Sequence, residues 1–288
     1  MKKTVIIQGK KITYKDIKLI RQMINAHPSW NRTHLSRKLC FLWNWRASNG
    51  QLKDMACRSF LLKLEKRGYI TLPPRQKTSG GNRRKVPVLY VPHKTKVIAC
   101  KLSNVIPVRI ELVKDKDLLK LFEHLLFQYH YLSFSGTVGE NMKYIVFDKE
   151  NNPLSCLLFG SPAWKTPPRD NFIGWDKDKR CANLKFLTNN MRFLILPWVK
   201  VPHLASHILG KVSRRISKDW INKYNHPIYM LETFVEKERF RGTCYRAANW
   251  IYVGQTKGYS RNRYTTRVPI KDIYLYPLIK RFRKILNS

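Results

Sequence analysis

Apolar residues recur at helical spacing in the first part of the chain. The pattern predicts a helix over residues 14–26 that Thr13 caps, and a second over residues 33–43 for which Asn31 or Thr33 is the cap. The positions expected to face the core are Ile17, Ile20, Met23, Ile24, Leu35, Leu39 and Leu42. Both helices therefore read as amphipathic surface helices that share one core.

A third helical stretch, residues 51–66, precedes two short apolar segments, residues 69–72 and 86–91, with a basic loop over residues 76–85 between them. Its inward positions are predicted to be Leu52, Met55, Phe60, Leu61 and Leu64. Three helices followed by a β-hairpin are the order of a winged helix. We therefore predict a winged-helix, DNA-binding domain over residues 1–95. A helical module that docks on another protein is the alternative.

After this domain, apolar strands alternate with helices. Residues 193–199 and 228–235 are uninterrupted apolar strands on either side of a helix over residues 204–224, which predicts a parallel βαβ unit covered on both faces. Residues 164–180 are rich in Trp, Pro and charged residues and are predicted to be a loop. The fold class is thus α/β (α+β), with a mixed-sheet domain over residues 105–288.

Charge indicates the partner. The chain has 56 Lys and Arg against 18 Asp and Glu, a net charge of +38, and its first hundred residues hold 23 basic and 3 acidic side chains. A polyanion is the expected ligand, and double-stranded DNA is the leading candidate. The predicted DNA contacts are basic residues of the helices and the loop: Arg37, Lys38, Lys53, Arg58, Arg75, Lys77, Arg83, Arg84 and Lys85.

Several classes of protein are excluded by what the sequence lacks. No apolar run approaches the roughly 18 residues that a membrane helix needs, so we expect a cytoplasmic protein without a membrane partner. The six cysteines are far apart and form no CxxC pair, so each is expected to be a small buried residue rather than a zinc ligand or half of a disulfide. We expect neither a metal nor a cofactor.

Seven strings of residues, spread over the second domain, carry a family resemblance. They are residues 157–164, 169–175, 204–207, 231–235, 242–250, 253–258 and 271–278. In this order they resemble the DruA family of Druantia anti-phage proteins. The resemblance implies a role in bacterial defence and a helicase-like partner. Relatives beside or fused to transposases keep a mobile-element role open.

The order of elements from residue 193 to residue 254 also resembles the core of a GNAT-type acetyltransferase. In that family a glycine-rich turn at a helix start holds the coenzyme A pyrophosphate, whereas the matching residues 200–205 contain no glycine. The tyrosine that often serves there as general acid falls near Trp250, which cannot donate a proton in this way. The resemblance therefore implies the fold more than the activity.

Three residues of the second domain are candidates for catalysis. Glu232 interrupts an apolar strand, and a carboxylate in a buried strand is either functional or paired, for instance with Arg239. Tyr245 and Asn249 lie one helical turn apart and can hydrogen-bond a ligand at the open end of the sheet. A short helix that satisfies its own loop is the simpler alternative for the second pair.

Two further groups can form part of a pocket. Arg169, Asp170 and Trp175 combine charge with an aromatic ring, which can hold a phosphate and stack a base, or can serve ordinary packing. His203 and His207 have the i, i+4 spacing of metal ligands, but the HExxH motif is absent and helix capping or packing is favoured.

From the charge and the family resemblance together, we predict a DNA-binding component of an anti-phage defence system. The alternative is an enzyme acting on DNA or a nucleotide, such as a modifying transferase, or a transposition-associated factor.

Overall fold

The computed structural model describes residues 5–7, 10–75, 90–259 and 268–288 and divides the chain into an N-terminal unit, residues 1–85, and a C-terminal unit, residues 86–288. The division falls earlier than the expected end at residue 95. Residues just after it belong to the C-terminal unit, because the ring of His93 stacks on Trp198 at 5.4 Å. Strand β3 (Ile98–Ala99) then pairs in parallel with β8 (Val199–Lys200).

Three helices form the core of the N-terminal unit, as predicted. They follow an antiparallel pair of strands, β1 (Val5–Ile7) and β2 (Lys10–Ile12), and are α1 (Tyr14–Ala26), α2 (Arg32–Leu42) and α3 (Asp54–Lys66). Thr13 caps α1 in a reciprocal capping box with Asp16, and Asn31 caps α2 through the backbone N–H of His34. The sequence predicts the bounds of α1 correctly.

The periodicity was misleading at two inward positions. Leu42 is 56% exposed because it is the last residue of α2, and Met55 is 65% exposed because it lies in the first turn of α3. That connection is an irregular segment closed by a bridge between Arg46 and Leu52. Most of the predicted wing, residues 76–89, lies outside the described residues, and residues 69–75 and 90–91 form no strand. The winged helix therefore stays a prediction.

A seven-stranded mixed sheet organises the C-terminal unit and confirms the predicted fold class. Its strands are β4 (Arg109–Leu112), β5 (Met142–Phe147), β6 (Pro153–Gly160), β7 (Leu187–Ile195), β9 (Met230–Glu236), β10 (Ile251–Gln255) and β11 (Lys271–Pro277). Their order is β10-β11-β9-β7-β6-β5-β4. Neighbouring strands are antiparallel except β7 and β9. This parallel pair is the βαβ unit that the sequence predicts.

Helices cover the sheet and fill its connections. They are α4 (Leu102–Val105), α5 (Lys116–Tyr129), α6 (Pro167–Ile173), α7 (Lys177–Asn183), α8 (Leu204–Ser213), α9 (Ile216–Tyr224), α10 (Thr243–Ala247) and α11 (Phe282–Leu286). The predicted loop over residues 164–180 is wrong, since it contains α6 and α7. The single helix predicted over residues 204–224 breaks at Arg214 and becomes α8 and α9.

The parallel contact between β7 and β9 is short. Three residue pairs form it, from Leu187 opposite Met230 to Asn189 opposite Glu232. Beyond them both strands continue without pairing to each other, to Ile195 and to Glu236. The two strands therefore diverge and leave a cleft between the β4–β7 part and the β9–β11 part of the sheet.

Two expectations concern the surface and the cysteines. None of the helices in the described residues is long and apolar enough to cross a membrane. Cys40, Cys57 and Cys156 are buried as expected, but Cys181 is exposed on α7.

Candidate functional site

The cleft between the diverging strands has a volume of about 930 Å³. Its walls come from β7, β9 and α10, from the end of α5 and from the residues around β10 and β11. A volume of this size lies at the upper end of the range for ligand pockets, which is about 300–1,000 Å³. The cleft is therefore large enough to bind a small molecule or part of a polymer.

A group of hydrogen-bonded side chains lies where the strands separate. The hydroxyl of Thr233 donates to the backbone oxygen of Asn190 at 3.1 Å, so one side chain joins β9 to β7 just beyond their last pair. The hydroxyl of Tyr245 donates to Oδ1 of Asn190 at 2.7 Å. Burial raises the pKa of the Tyr245 phenol, which therefore stays protonated. The floor of the cleft is thus neutral and polar.

Aromatic rings lie at the mouth of the cleft on three different segments. Tyr131 follows α5, Phe240 follows β9 and Tyr259 follows β10, and all three are more than one-third exposed. The ring of Tyr131 contacts that of Phe240 with centroids 5.3 Å apart. Because Tyr131 and Phe240 contact each other, a planar ligand does not fit between them, but it can stack on the exposed ring of Phe240 or of Tyr259.

The charged side chains that line the cleft are basic: Arg192, Arg241 and Lys271. None of the lining residues in the described part of the chain is Asp or Glu. The guanidinium of Arg192 donates to the backbone oxygens of Ser133 at 3.1 Å and Met191 at 2.8 Å. Burial lowers the pKa of Arg192. Within the described residues, the hydrogen bonds of this half-buried cation go to neutral oxygens, which favours an anionic ligand.

His130 lines the same wall and is held neutral. Burial first, and then the positive charge of Arg192, lower the pKa of His130 to about 4. Its Nδ1 accepts the backbone N–H of Leu132 at 3.1 Å, so the neutral ring carries its proton on Nε2. At neutral pH this side chain adds no charge to the cleft.

Glu232 does not line the cleft and belongs to a buried ion network. Its Oε2 accepts from Arg169 at 2.9 Å and its Oε1 from the N–H of Ala163 at 2.6 Å, while Arg169 also binds the backbone oxygen of Ala163 at 2.6 Å. Asp170 accepts from Arg169 at 2.8 Å and from Arg180 at 3.2 Å. Burial raises the pKa of the Glu232 carboxyl, and Arg169 opposes that rise. Since Ala163 lines the cleft, the network fixes part of its wall.

The partner expected for Glu232 is wrong. Arg239 lies on the surface and pairs with Glu236 at 3.6 Å, whereas Glu232 is fully buried and pairs with Arg169. The sequence does not show this pair because α6 delivers Arg169 from 63 residues away.

The predicted stacking pocket of Arg169, Asp170 and Trp175 also needs correction. All three are buried, and the guanidinium of Arg169 lies over the ring of Trp175 at 5.7 Å. The indole N–H of Trp175 donates to the backbone oxygen of Leu286 in α11. These side chains stack and pair with one another, so none of them presents a face to a ligand.

The remaining predicted residues are separated from the cleft or from one another. Asn249 is exposed and has a positive φ after α10 has ended, so it is not one helical turn from Tyr245 and does not line the cleft. His203 is exposed at the start of α8 and makes no capping bond with its side chain. Burial lowers the pKa of His207, which lies one turn later. Tyr245 is the predicted catalytic residue that reaches the cleft.

Several cleft residues were not predicted as site residues, above all Arg192, Arg241 and Lys271. A signal existed for one of them: Asn190 and Arg192 are polar positions beside the apolar stretch that predicts a strand from residue 193. The strand in fact begins six residues earlier, at Leu187. Polar residues of a strand at the point where it leaves its neighbour are typical of a site in a sheet.

The N-terminal unit holds the other candidate surface. Its three acidic side chains are Asp16, Asp54 and Glu65. Asp16 forms the capping box of α1, and Glu65 accepts from Arg32 at 3.5 Å and from the N–H of Leu72 at 3.0 Å. Asp54 lies 3.0 Å from Arg58. Each carboxylate is therefore engaged within the unit and leaves the basic surface largely uncompensated.

The predicted DNA-contacting residues fall into three groups. Lys38, Lys53 and Arg75 are exposed. Arg37 and Arg58 lie beside Asp54, at 3.9 Å and 3.0 Å, so Arg58 is held along α3 instead of pointing outward. The four residues of the wing loop lie outside the described residues: Lys77, Arg83, Arg84 and Lys85.

Comparison with known proteins gives one family and a set of distant structures. The model of the family described as Druantia protein DruA matches residues 63–268. The Druantia protein DruA of Escherichia coli (strain UMEA 4076-1) is 32% identical over 87 residues, which are 28% of this chain and 22% of that protein. The match thus spans about a fifth of the relative's length.

Similar solved structures are acetyltransferases. The spermidine/spermine N-acetyltransferase SpeG from Vibrio cholerae, in complex with manganese ions, has a TM-score of 0.39 at 9% identity and covers 62% of this chain and 96% of its own. The ribosomal-protein-S5-alanine acetyltransferase from Vibrio fischeri has a TM-score of 0.37 at 8% identity, with 60% and 94% covered. Similarity at this level indicates no activity for the chain.

Proposed function

Because the chain belongs to the DruA family of Druantia anti-phage proteins, we propose that it is a component of Druantia defence that binds double-stranded DNA through its N-terminal unit. The observation that carries the proposal is the distribution of charge in residues 1–85. They contain 21 Lys and Arg against three acidic residues, and contacts within the unit engage all three carboxylates. Phosphate is the ligand that such a surface attracts.

The geometry of α2 and α3 supports duplex DNA rather than another polyanion. The two helices pack on each other, and α3 exposes one face along its whole length, formed by Met55, Ser59, Leu62, Lys63 and Lys66. Lys53 is exposed directly before α3 begins. In helix-turn-helix proteins the first turn of the second helix meets the base edges, while basic side chains around it contact phosphates.

The structure changes which residues should contribute most. The sequence predicts Arg58 as a DNA contact, but its guanidinium donates to Asp54 at 3.0 Å. Lys53 and Lys38 have no such carboxylate among the described residues. We therefore propose that Lys38 and Lys53 contribute more to DNA affinity than Arg58.

The test is DNA affinity of the full chain at increasing salt. With about six phosphate contacts, affinity should fall about 1,000-fold between roughly 50 and 200 mM salt. The Lys38→Ala, Lys53→Ala double variant should reduce that slope by about two contacts. A matched control is Lys218→Ala, which removes an exposed charge of α9 in the C-terminal unit.

The outcomes separate cleanly. An affinity that does not depend on salt, or a slope that Lys218→Ala lowers as much as the double variant does, contradicts binding through the N-terminal unit. An enzyme acting on DNA or a nucleotide stays the alternative, although Glu232 and Asn249 do not line the cleft. A helicase-like partner likewise stays a prediction.

A further inference from the structure

We propose that the cleft between β7 and β9 binds a nucleotide, with the base stacked on an exposed aromatic ring at its mouth and the phosphate against Arg241 and Lys271. The site lies wholly within the C-terminal unit and does not depend on DNA binding by residues 1–85. Its ligand is either a free nucleotide or a nucleotide of a single strand.

The size of the cleft selects a single nucleotide over a duplex. At about 930 Å³ it is a concave pocket closed below by Tyr245, Thr233 and Asn190. Proteins that act on a base in DNA bind that base in a pocket of this kind after it has left the helix. A double helix cannot enter such a pocket.

The basic side chains that line the cleft favour an anionic ligand. Arg241 is exposed beside α10, Lys271 is half-buried at the start of β11, and both line the cleft. The carboxylate opposite Lys271 in the ladder is Glu236, which pairs with Arg239 at 3.6 Å. With only basic charges among the described lining residues, a polycationic ligand is repelled and a phosphate is attracted.

The aromatic mouth selects a planar ligand. Phe240 is 46% exposed and Tyr259 is 54% exposed, large fractions for side chains that could otherwise be buried. On the outer side, the guanidinium of Arg239 covers the ring of Tyr131 at 4.8 Å. Bases stack on such faces without strong sequence preference, since every base has a π-face. Phe240 and Arg241 are adjacent in the chain, so one loop presents both a stacking surface and a cation.

The floor adds neutral hydrogen-bond acceptors, and the Nε2–H of His130 adds a donor. The amide of Asn190 and the hydroxyls of Thr233 and Tyr245 are neutral and fixed by their mutual bonds. His130 carries its proton on Nε2 and no net charge. Neutral groups of fixed orientation can bind the polar edge of a base without the desolvation cost of a buried ion.

The experiment measures binding of thymidine monophosphate and of a thymidine trinucleotide to the full chain by calorimetry. The variants are Phe240→Ala and the double variant Arg241→Ala, Lys271→Ala. Each should weaken binding of both ligands about tenfold or more. The matched control is Arg214→Ala, an exposed arginine at the end of α8 that does not line the cleft, and it should leave binding unchanged.

The two ligands identify the source of the nucleotide. Equal affinity for both indicates a free nucleotide, and at least tenfold tighter binding of the trinucleotide indicates a single strand. Both results support the site. Three results would overturn the site. The chain could bind neither ligand, it could bind coenzyme A but neither nucleotide ligand, or Arg214→Ala could lose as much nucleotide affinity as the cleft variants do.

Duplex affinity is measured on the same variants. Because residues of the C-terminal unit alone line the cleft, duplex affinity should persist in Phe240→Ala, and nucleotide affinity should persist in Lys38→Ala, Lys53→Ala. Failure of one proposal therefore leaves the other standing.

Discussion

The two units of the molecule differ in how many polar and charged side chains they bury. Ser36 is the buried polar side chain among the described residues of the N-terminal unit, whereas the C-terminal unit buries several charged and polar groups, including Arg169, Asp170 and Glu232. The first unit has an apolar core and keeps its charges outside. The second accepts the desolvation of charges in its interior, where they must be paired. The N-terminal unit thus leaves its charges available at the surface, whereas the C-terminal unit uses charges to fix its interior.

Removing one partner of the buried network should have the largest effect. Glu232→Gln leaves Arg169 without its buried carboxylate partner and should lower the free energy of unfolding of the C-terminal unit by about 3 kcal/mol. Urea unfolding measures it. Glu236→Gln is the control, because it removes a carboxylate whose partner Arg239 is half exposed, and should cost less than about 1 kcal/mol.

Phage protection by Glu232→Gln distinguishes structure from catalysis. If Glu232 only holds the wall at Ala163, protection should fall no further than folding does. Full loss of protection in a variant with unchanged stability would show that the charge itself is used, and would place the function of the C-terminal unit in its network instead of its cleft.

The acid dependence of stability should come next in size. The pKa of His130 is lowered from 6.5 to about 4 in the folded chain, so between these values the unfolded chain binds more protons. This contribution to stability is complete above about pH 6.5 and is lost as pH falls toward 4. It amounts to about 2 kcal/mol once partial solvent access is allowed for.

Thermal unfolding at several pH values checks this expectation. The variant His130→Gln should unfold with a flatter dependence between pH 6.5 and 4 than the wild type. An identical dependence would mean that His130 is not the neutral wall residue described above.

A smaller effect is expected from Tyr245→Phe, which removes the hydroxyl that donates to Asn190. The cost should be about 1 kcal/mol, which is typical of one lost hydrogen bond. Stability and phage protection are measured together. Loss of protection without loss of stability would favour the transferase alternative, in which this hydroxyl takes part in chemistry.

The smallest change in stability should come from the N-terminal unit. Asp54→Asn removes the carboxylate beside Arg37 and Arg58 and should cost about 0.5 kcal/mol, since these side chains are partly exposed. Duplex DNA should bind about threefold more tightly, because two guanidiniums are released and a negative charge is lost. Weaker DNA binding would show that the pair positions Arg58 for DNA.

The sequence predicted individual helices and strands better than the contacts between distant residues. The cap of α1 at Thr13 follows from a pattern within a few residues, and the parallel unit of β7 and β9 follows from two apolar strands on either side of a helix. Leu42 and Met55 were placed inside because periodicity does not show where a helix loses its neighbour.

The site was harder to predict than the elements. Glu232 was recognised as a buried carboxylate, but its partner Arg169 and the cleft residues Arg241 and Lys271 come from distant segments. Such groupings depend on sheet order, in which β9 lies between β7 and β11. No spacing along one strand encodes that order.

The short contact between β7 and β9 has a mechanical consequence. Three residue pairs join a four-stranded plate, β4 to β7, to a three-stranded plate, β9 to β11. Bending along this line changes the angle between the plates while every antiparallel ladder stays intact. Rotation of one part of the sheet about this line would therefore change the width of the cleft.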